Sequence, residues 1–546
     1  MNYKRRILNL ATRVGLSYEL MSAYDQFTGN IRRIRPSDEM QSYDPQIPMH
    51  NKQILFPLIP GYRSFALRYC VLAHAFRTKG YEPIFLYDDD DIPAKPGVTV
   101  DYGDERTLNR KKTRAKRSPT NFGIEKKRLR KIATTNKKAR KIETQNRDAL
   151  VRLSDYPDGT IEKYVKASLR KYLKKYRLNL SDPVEHDLYI EFLQSAIMIS
   201  YACQEITKRK NLKCIVSHEQ SYIQGGIPME VGRSAGIDVY IQGLGYHEGE
   251  LMFGRARNHV PQTQFANRNL MTDAVETRLS KPEKKKIDEV MKKRQNNENT
   301  RADYAVQDGT AYDTNKSVIV GVFSHLLWDA ALEPEEGVYS DFYTWLDDTI
   351  SAGLNMNDVE FIIKAHPAED IRGTNEPIKD WLTEQYDTLP DNISFLPPDT
   401  DVNTYQLFDQ LDAGVVFAST VGLEMAYHRI PVVVGGYPPY HGYGLTHTPS
   451  TKPEYKQLIN DIKTLECSDE MKARAIRFAH FLFECQSVDF PYLSELSNTD
   501  GNVVIEHNEI TREESPYQKI AEQILNGEEV LDPSCRNADN EDGFSK

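Results

Sequence analysis

The chain has 546 residues, 39% of them hydrophobic, which is length for two large domains and too apolar for a wholly disordered protein. Seventy Lys and Arg stand against 79 Asp and Glu, a net charge of −9, so the chain as a whole is not basic. Its longest apolar runs, such as 318–323, fall far short of the ~18 residues a membrane span needs.

No apolar core follows the basic start Lys4-Arg5-Arg6, so no signal peptide is legible and the expected location is cytoplasmic. The six cysteines (Cys70, Cys203, Cys214, Cys467, Cys485 and Cys535) are scattered, with none at CxxC spacing. That pattern suits reduced thiols and gives no structural metal site.

Residues 4–23 mix basic and apolar positions at helical spacing, predicting an amphipathic helix that fits a membrane surface or its own domain. Gln53–Gly61 reads as a buried strand ending in a turn, Phe65–Lys79 as a helix stopped by Gly80, and Pro83–Tyr87 as a second strand closed by Asp88–Asp91. Strand, helix and strand in that span make a βαβ unit, which favours a parallel sheet. A charged block interrupts the rhythm: residues 106–147 hold 17 Lys and Arg against two acids. It reads as a solvated insertion or as a patch for anionic lipid headgroups, a charged acceptor or nucleic acid. Nucleic acid is disfavoured, because Phe122 is its one aromatic and a stacking platform is absent.

Beyond the insertion a helix is expected over Asp187–Lys208, strands over Cys214–Ser217 and Asp238–Gln242, and a Lys-rich surface or connecting helix over Pro282–Asn299. A second α/β unit follows, with strands at Ser317–Phe323, Glu360–Lys364, Ile393–Leu396, Ala413–Phe417 and Ile430–Val434, and helices at Phe342–Ala352 and Val421–Tyr427. The tail from Asp500 carries 12 acids against four bases. Boundaries follow: an N-terminal helical segment 1–45, a first α/β domain 50–270 with its basic insertion at about 101–150, and a linker helix 271–310. A second α/β domain 311–470, an aromatic crossing helix 471–496 and an acidic tail 497–546 complete the chain. In such sheets ligands bind beyond the carboxyl ends of the strands.

Three segments stand at those ends. In Lys364-Ala365-His366-Pro367-Ala368-Glu369 the proline fixes a turn and leaves His366 at the strand tip, placed to bond a phosphate oxygen or protonate a leaving group. A histidine satisfied by local backbone is the plainer reading. Phe417–Glu424 runs from a strand through Ser419 and Thr420 into a helix, an arrangement suited to an anion or to simple capping. Gly422 there allows close backbone approach, and Glu424 is placed to accept from ribose hydroxyls. Gly435–Thr446, with Tyr440 and His441, is a Gly- and Tyr-rich loop suited to lining a ligand. No P-loop, GxGxxG, HExxH or GxSxG pattern occurs in a usable context.

Taken in order, Ser324–Ala331, Trp345-Leu346, Thr349-Ile350, the His366–Glu369 turn, Thr404-Tyr405, Ser419–Glu424 and the Tyr440–Thr446 loop resemble capsular polysaccharide biosynthesis proteins. These are similar to GT-B glycosyltransferases, the class that includes capsule Kdo transferases. The match runs over 317–465; Ala473–Tyr492 resembles the aromatic helix that follows the second domain in such proteins, and the basic insertion lies outside the pattern.

The resemblance implies two Rossmann-like domains facing a cleft, with a nucleotide-sugar donor in the second and a glycan or lipid-linked acceptor at the first. It implies no cofactor beyond the donor substrate, and no metal. His366 would contact donor phosphate, Ser419, Thr420 and Gly422 would hold phosphate, Glu424 the ribose, and His325, Trp328 and Asp329 would line the cleft with Tyr440 and His441. The base would come from Glu219 or from His247-Glu248, each just past a strand. The expected activity is glycosyl transfer to a surface polysaccharide, by a cytoplasmic protein attached at the inner membrane face through 4–23 and 106–147. A nucleotide-sugar epimerase, a polyol-phosphate transferase and a non-catalytic assembly scaffold are the alternatives.

Overall fold

A computed structural model describes residues 34–36, 40, 47–58, 63–88, 93, 125–144, 147–153, 156, 159–209, 211–256, 268–296, 298, 312–330, 337–492 and 503–535. The amphipathic segment 4–23, the aspartates 89–91 and half of the basic block, mainly 106–124, lie outside them.

The strands, in chain order, are β1 (Ile34–Pro36), β2 (Gln53–Leu58), β3 (Glu82–Tyr87), β4 (Glu125–Arg128), β5 (Leu212–His218), β6 (Asp238–Leu244) and β7 (Glu250–Ala256). They continue as β8 (Val318–Phe323), β9 (Val359–Lys364), β10 (Ile393–Leu396), β11 (Ala413–Val416), β12 (Val432–Val434), β13 (Ser487–Asp489) and β14 (Val503–Ile505). They form a seven-stranded sheet in the order β13-β7-β6-β5-β2-β3-β4, a five-stranded sheet in the order β10-β9-β8-β11-β12, and a two-stranded pair β1-β14. The fold is therefore α/β with two parallel-rich sheets, as expected from the rhythm. Among the described strands only β7 is reversed, antiparallel to both of its neighbours, β6 and β13.

The runs that make the central strands are apolar on both faces, as a sheet covered by helices on each side requires. In the first domain the helices Glu162–Leu173, Pro183–Thr207 and Ile223–Ser234 cover one face. Arg63–Thr78 covers the other together with the C-terminal residues Val488, Phe490, Ile505, Tyr517 and Ile520. In the second domain Phe342–Gly353 and Lys452–Asn460 cover one face. The linker helix Lys281–Gln295 and the helix Asp469–His480 cover the other.

Both sheets reverse strand order near the middle. From β8 the chain first moves outward through β9 and β10, then returns to β11 on the other side. The first sheet does the same around β2 and β5. The crevices at β8/β11 and β2/β5 are thus the topological switch points, where a ligand is expected.

Three expectations need correction. Cys485 and Cys535 form a disulfide, while the other four cysteines are free and buried, so the chain is not uniformly reduced. Sequence spacing hid this pair because 50 residues separate its members and the fold alone brings their Cα atoms to 5.5 Å. The aromatic helix is not continuous over 471–496: it ends at His480, turns once as a π-helix over Phe481–Cys485, and becomes β13. The part of the basic block that is described is not merely a solvated appendage, since Glu125–Arg128 adds β4 to the edge of the first sheet, parallel to β3.

Candidate active site

The β8/β11 crevice is lined first by aromatic packing. Phe323 ends β8, and two residues on the His325 ring stacks against Phe417 at 5.5 Å and 9°. Phe342 meets that imidazole edge-on at 5.7 Å. Burial, with the neighbouring His366, pushes the His325 pKa down to about 4, so the ring is neutral. Its Nδ1 has no hydrogen-bond partner, and neither do the buried Ser324 Oγ, Trp328 Nε1 and Glu369 Oε2. Three of these atoms stand in the loop that follows β8 and the fourth in the turn that follows β9, although buried polar groups are ordinarily paired. Burial raises the Glu369 carboxyl to about 7.

His366 stands at the tip of β9. Its Nδ1 accepts from the backbone N–H of Ala368 at 3.0 Å, so the neutral ring carries its proton on Nε2 as a donor. Burial, then Arg372 and Lys364, push its pKa down to about 4. Lys364, the last residue of β9, is buried, and that burial lowers its ammonium to about 8.

Ser419 and Thr420 follow β11 and are half-buried. Ser419 Oγ accepts from Val421 N at 3.3 Å, while the side chain of Thr420 makes no capping bond to the helix Val421–Tyr427. Tyr440 is a staple of this turn: it is buried and its hydroxyl donates to the Ser419 carbonyl at 2.5 Å. Gly422 is needed for the same reason, because a Cβ there would lie 2.0 Å from Tyr440 Oη. His441 packs its ring on Tyr437 at 4.7 Å. Glu424 is buried and committed: it accepts from Arg294 NH2 at 2.7 Å and from Tyr405 Oη at 2.7 Å.

Asp329 joins the two domains. Its Oδ1 accepts from Lys171 Nζ at 2.9 Å and from the Tyr222 hydroxyl, both in the first domain, and its Oδ2 accepts from Arg372 at 3.1 Å. Burial alone would raise its pKa; Lys171, Tyr222 and Arg372 hold it below the usual carboxylate range. The next backbone N–H, Ala330, donates to the Tyr222 hydroxyl at 2.6 Å.

Glu219, just past β5, lies within electrostatic reach of this group. Burial raises its pKa, Lys171 opposes the rise and Asp329 adds to it. Glu219 and Ala330 both hold left-handed backbone, at φ 57° and 53°. Such conformations cost about 1 kcal/mol or more for residues with a Cβ and gather at functional sites. The two stand on opposite sides of the Asp329 contact, one in each domain.

The other proposed bases lie elsewhere. His247 sits in the β6–β7 turn, 3.7 Å from Glu484, whose carboxylate raises its pKa. Glu248 is exposed in that turn. Sequence reading did not single out Lys171, Tyr222, Lys364, Glu369 or Arg372. A lysine at a helix end or an arginine after a turn carries no local mark of a partner in another domain.

The comparisons with known proteins fall on this same region. Residues 338–469 match the capsule polysaccharide biosynthesis protein family. That span holds β9 to β12, His366, Ser419 and the Tyr440 loop. No curated protein matches the sequence. Among solved structures the chain is similar to Thermosulfurimonas dismutans KpsC, a β-Kdo 2,4 transferase, at 12% identity over 51% of this chain and 82% of that one, with a TM-score of 0.36. A second structure from that organism, KpsC as a β-Kdo 2,7 transferase, gives 15% identity, 53% and 82% coverage and a TM-score of 0.34. The spinosyn rhamnosyltransferase SpnG with spinosyn aglycone gives 10% identity, 78% and 95% coverage and a TM-score of 0.25.

Proposed function

We propose that the chain is a glycosyltransferase of surface-polysaccharide assembly that takes its sugar from a nucleotide-linked donor in the β8/β11 crevice. The observation that carries this reading is the set of unpaired buried polar atoms at Ser324, His325 and Trp328 in the loop after β8, with a neutral His366 near enough to His325 to lower its pKa, at the switch point of the second sheet. Its match to capsule polysaccharide biosynthesis proteins over 338–469 supports the substrate class.

In the proposed reaction Glu219 takes the proton of an acceptor hydroxyl as the bond to the sugar forms. Burial raises its pKa, which makes the carboxylate a stronger base. The bond from sugar to phosphate breaks, and the charge on the departing phosphate is met by His366 Nε2–H, Lys364 and Arg372, with the Ser419 and Thr420 hydroxyls as further donors. Asp329 and Lys171 set the distance between the two domains. Glu424 accepts from Arg294 at one oxygen and from Tyr405 at the other, so it anchors the helix that follows Thr420, and each oxygen keeps a lone pair for a ribose hydroxyl.

The test is a thermal-shift panel of nucleotide-linked sugars, followed by nucleotide release with and without a glycan acceptor. One nucleotide class should stabilise the protein, and His366→Ala should lose that shift. Glu219→Gln should keep the shift and lose about 10²–10⁴-fold in turnover. Turnover that needs no acceptor would replace the transferase reading with an epimerase, and the absence of any shift would sink both. No described helix is long and apolar enough to cross a membrane. Attachment to anionic lipid through 4–23 and 106–147 belongs to the same proposal and predicts vesicle binding that salt abolishes.

A further inference from the structure

The Cys485–Cys535 disulfide stands at a singular place. The helix Asp469–His480 belongs to the second domain's core, and β13 belongs to the first domain's sheet. Between them the chain makes its π turn, Phe481–Cys485. Residues five apart on an α-helix point about 140° away from each other, whereas the wider π turn brings them toward one face. His480 and Cys485 meet there, Nδ1 to Sγ at 3.6 Å. Cys535 Sγ completes the group, with the three atoms all within 4.8 Å of one another. His480 and Cys485 are buried, and Cys535 is half-exposed.

We propose that Cys485–Cys535 is a reversible thiol–disulfide exchange site, with His480 as its acid–base group and low-molecular-weight thiols and disulfides as its co-reactants. In reduction an external thiolate bonds to the sulfur of Cys535, the more exposed of the two cysteines. The protein S–S bond breaks, its electron pair stays on Cys485 Sγ, and that thiolate takes up a proton through His480. A second external thiolate attacks the outer sulfur of the mixed disulfide and releases the Cys535 thiolate, which takes its proton from water. One protein disulfide and two external thiols become two protein thiols and one external disulfide. Oxidation runs the same steps backward: His480 takes the proton of the Cys485 thiol, and the resulting thiolate attacks the mixed disulfide on Cys535. Burial lowers the His480 pKa, which keeps the imidazole neutral and able to accept that proton.

The surroundings hold both sulfurs near each other when the bond opens. Asp532 N donates to the Cys485 carbonyl at 2.8 Å and Cys535 N to the Asp532 carbonyl at 3.1 Å. Gln523 exchanges bonds with Leu531 at its N–H, 2.9 Å, and its carbonyl, 3.1 Å. Opening the disulfide therefore releases a staple between the crossing and residues 530–535 without dismantling either domain.

The full chain, purified without reductant and then denatured, should titrate four thiols out of six cysteines. Reduced glutathione added to the native protein should raise the count to six, and oxidised glutathione should return it to four. Trapped midway, the glutathione adduct should sit on Cys535. His480→Gln should keep the disulfide and slow exchange at least about tenfold. Six thiols in air-prepared protein, reduction that needs denaturant, or an adduct confined to Cys485 would each overturn the site. So would one equivalent of zinc held by both thiols in the reduced chain, and so would an unchanged rate in a folded His480→Gln.

Discussion

A methyl group at position 422 would meet Tyr440 Oη at 2.0 Å and its ring carbon at 2.9 Å, in a turn where that tyrosine is buried. Gly422→Ala should therefore lower stability by about 1–3 kcal/mol, read as a fall in Tm. Adding Tyr440→Phe removes the clashing oxygen and should recover part of the loss, although alone it costs the bond to Ser419. Glu369 makes a second prediction, in pH. The folded chain keeps its proton up to about 7, whereas an unfolded glutamate releases it near 4.5. Stability is thus undiminished below 4.5 and falls as pH rises toward 7, by up to about 3 kcal/mol. Glu369→Gln should flatten urea-unfolding curves across that window. At this scale the sequence already marked His366, because proline fixes its turn, and Glu219, because it follows a strand. It hid what engages Glu424 and Asp329, since Arg294 is 130 residues from the one and Lys171 is 158 residues from the other.

The linker helix Lys281–Gln295 shows how an element is anchored rather than merely placed. Ser280 and Glu283 form a capping box at its start. Ile287, Val290, Met291 and Arg294 form its buried face. Arg294 ends that face between Phe483, 4.7 Å below its guanidinium, and the Glu424 carboxylate. Arg294→Met strands a buried carboxylate and should cost about 3–5 kcal/mol, whereas Arg294→Met with Glu424→Gln should be far less damaging than the sum of the two. Chemical unfolding of the four proteins measures that coupling. β2, β3, β5, β6 and β8 to β12 were readable from apolar runs between turn residues, whereas β1, β4, β7, β13 and β14 were not, β4 being the charged run Glu125–Arg128. Helix starts were less readable: Pro183–Thr207 begins ahead of its apolar repeat because Asp182 caps it, accepting from Val184 N and Glu185 N. The π turn was unreadable, because Phe481, Leu482 and Phe483 fit the apolar repeat of an ordinary helix equally well.

On the scale of the whole molecule, the first domain hooks onto the second beside the cleft. Glu376 accepts from the backbone N–H groups of Tyr176 at 2.7 Å and Arg177 at 2.8 Å, and from the Arg177 side chain. Asn375 donates to the Leu173 carbonyl at 2.7 Å, and Tyr176 packs on Tyr343 at 5.8 Å. Glu376→Lys sets a cation against those donors. It should raise hydrogen exchange in 171–177 and 372–376 and widen the particle in X-ray scattering, while leaving the exchange of β8 to β12 unchanged. The return of the C-terminus to the first domain has a consequence for biosynthesis. Val488, Phe490, Tyr517 and Ile520 complete a core begun by Phe56 and Tyr69. All five strands of the other sheet are contiguous in the chain, between 318 and 434. A ribosome therefore delivers everything the later-encoded sheet needs before it delivers the last pieces of the earlier one. Until 488–520 have emerged, the earlier-encoded sheet waits with one face only partly covered, by Arg63–Thr78, and in that interval it is in need of a chaperone.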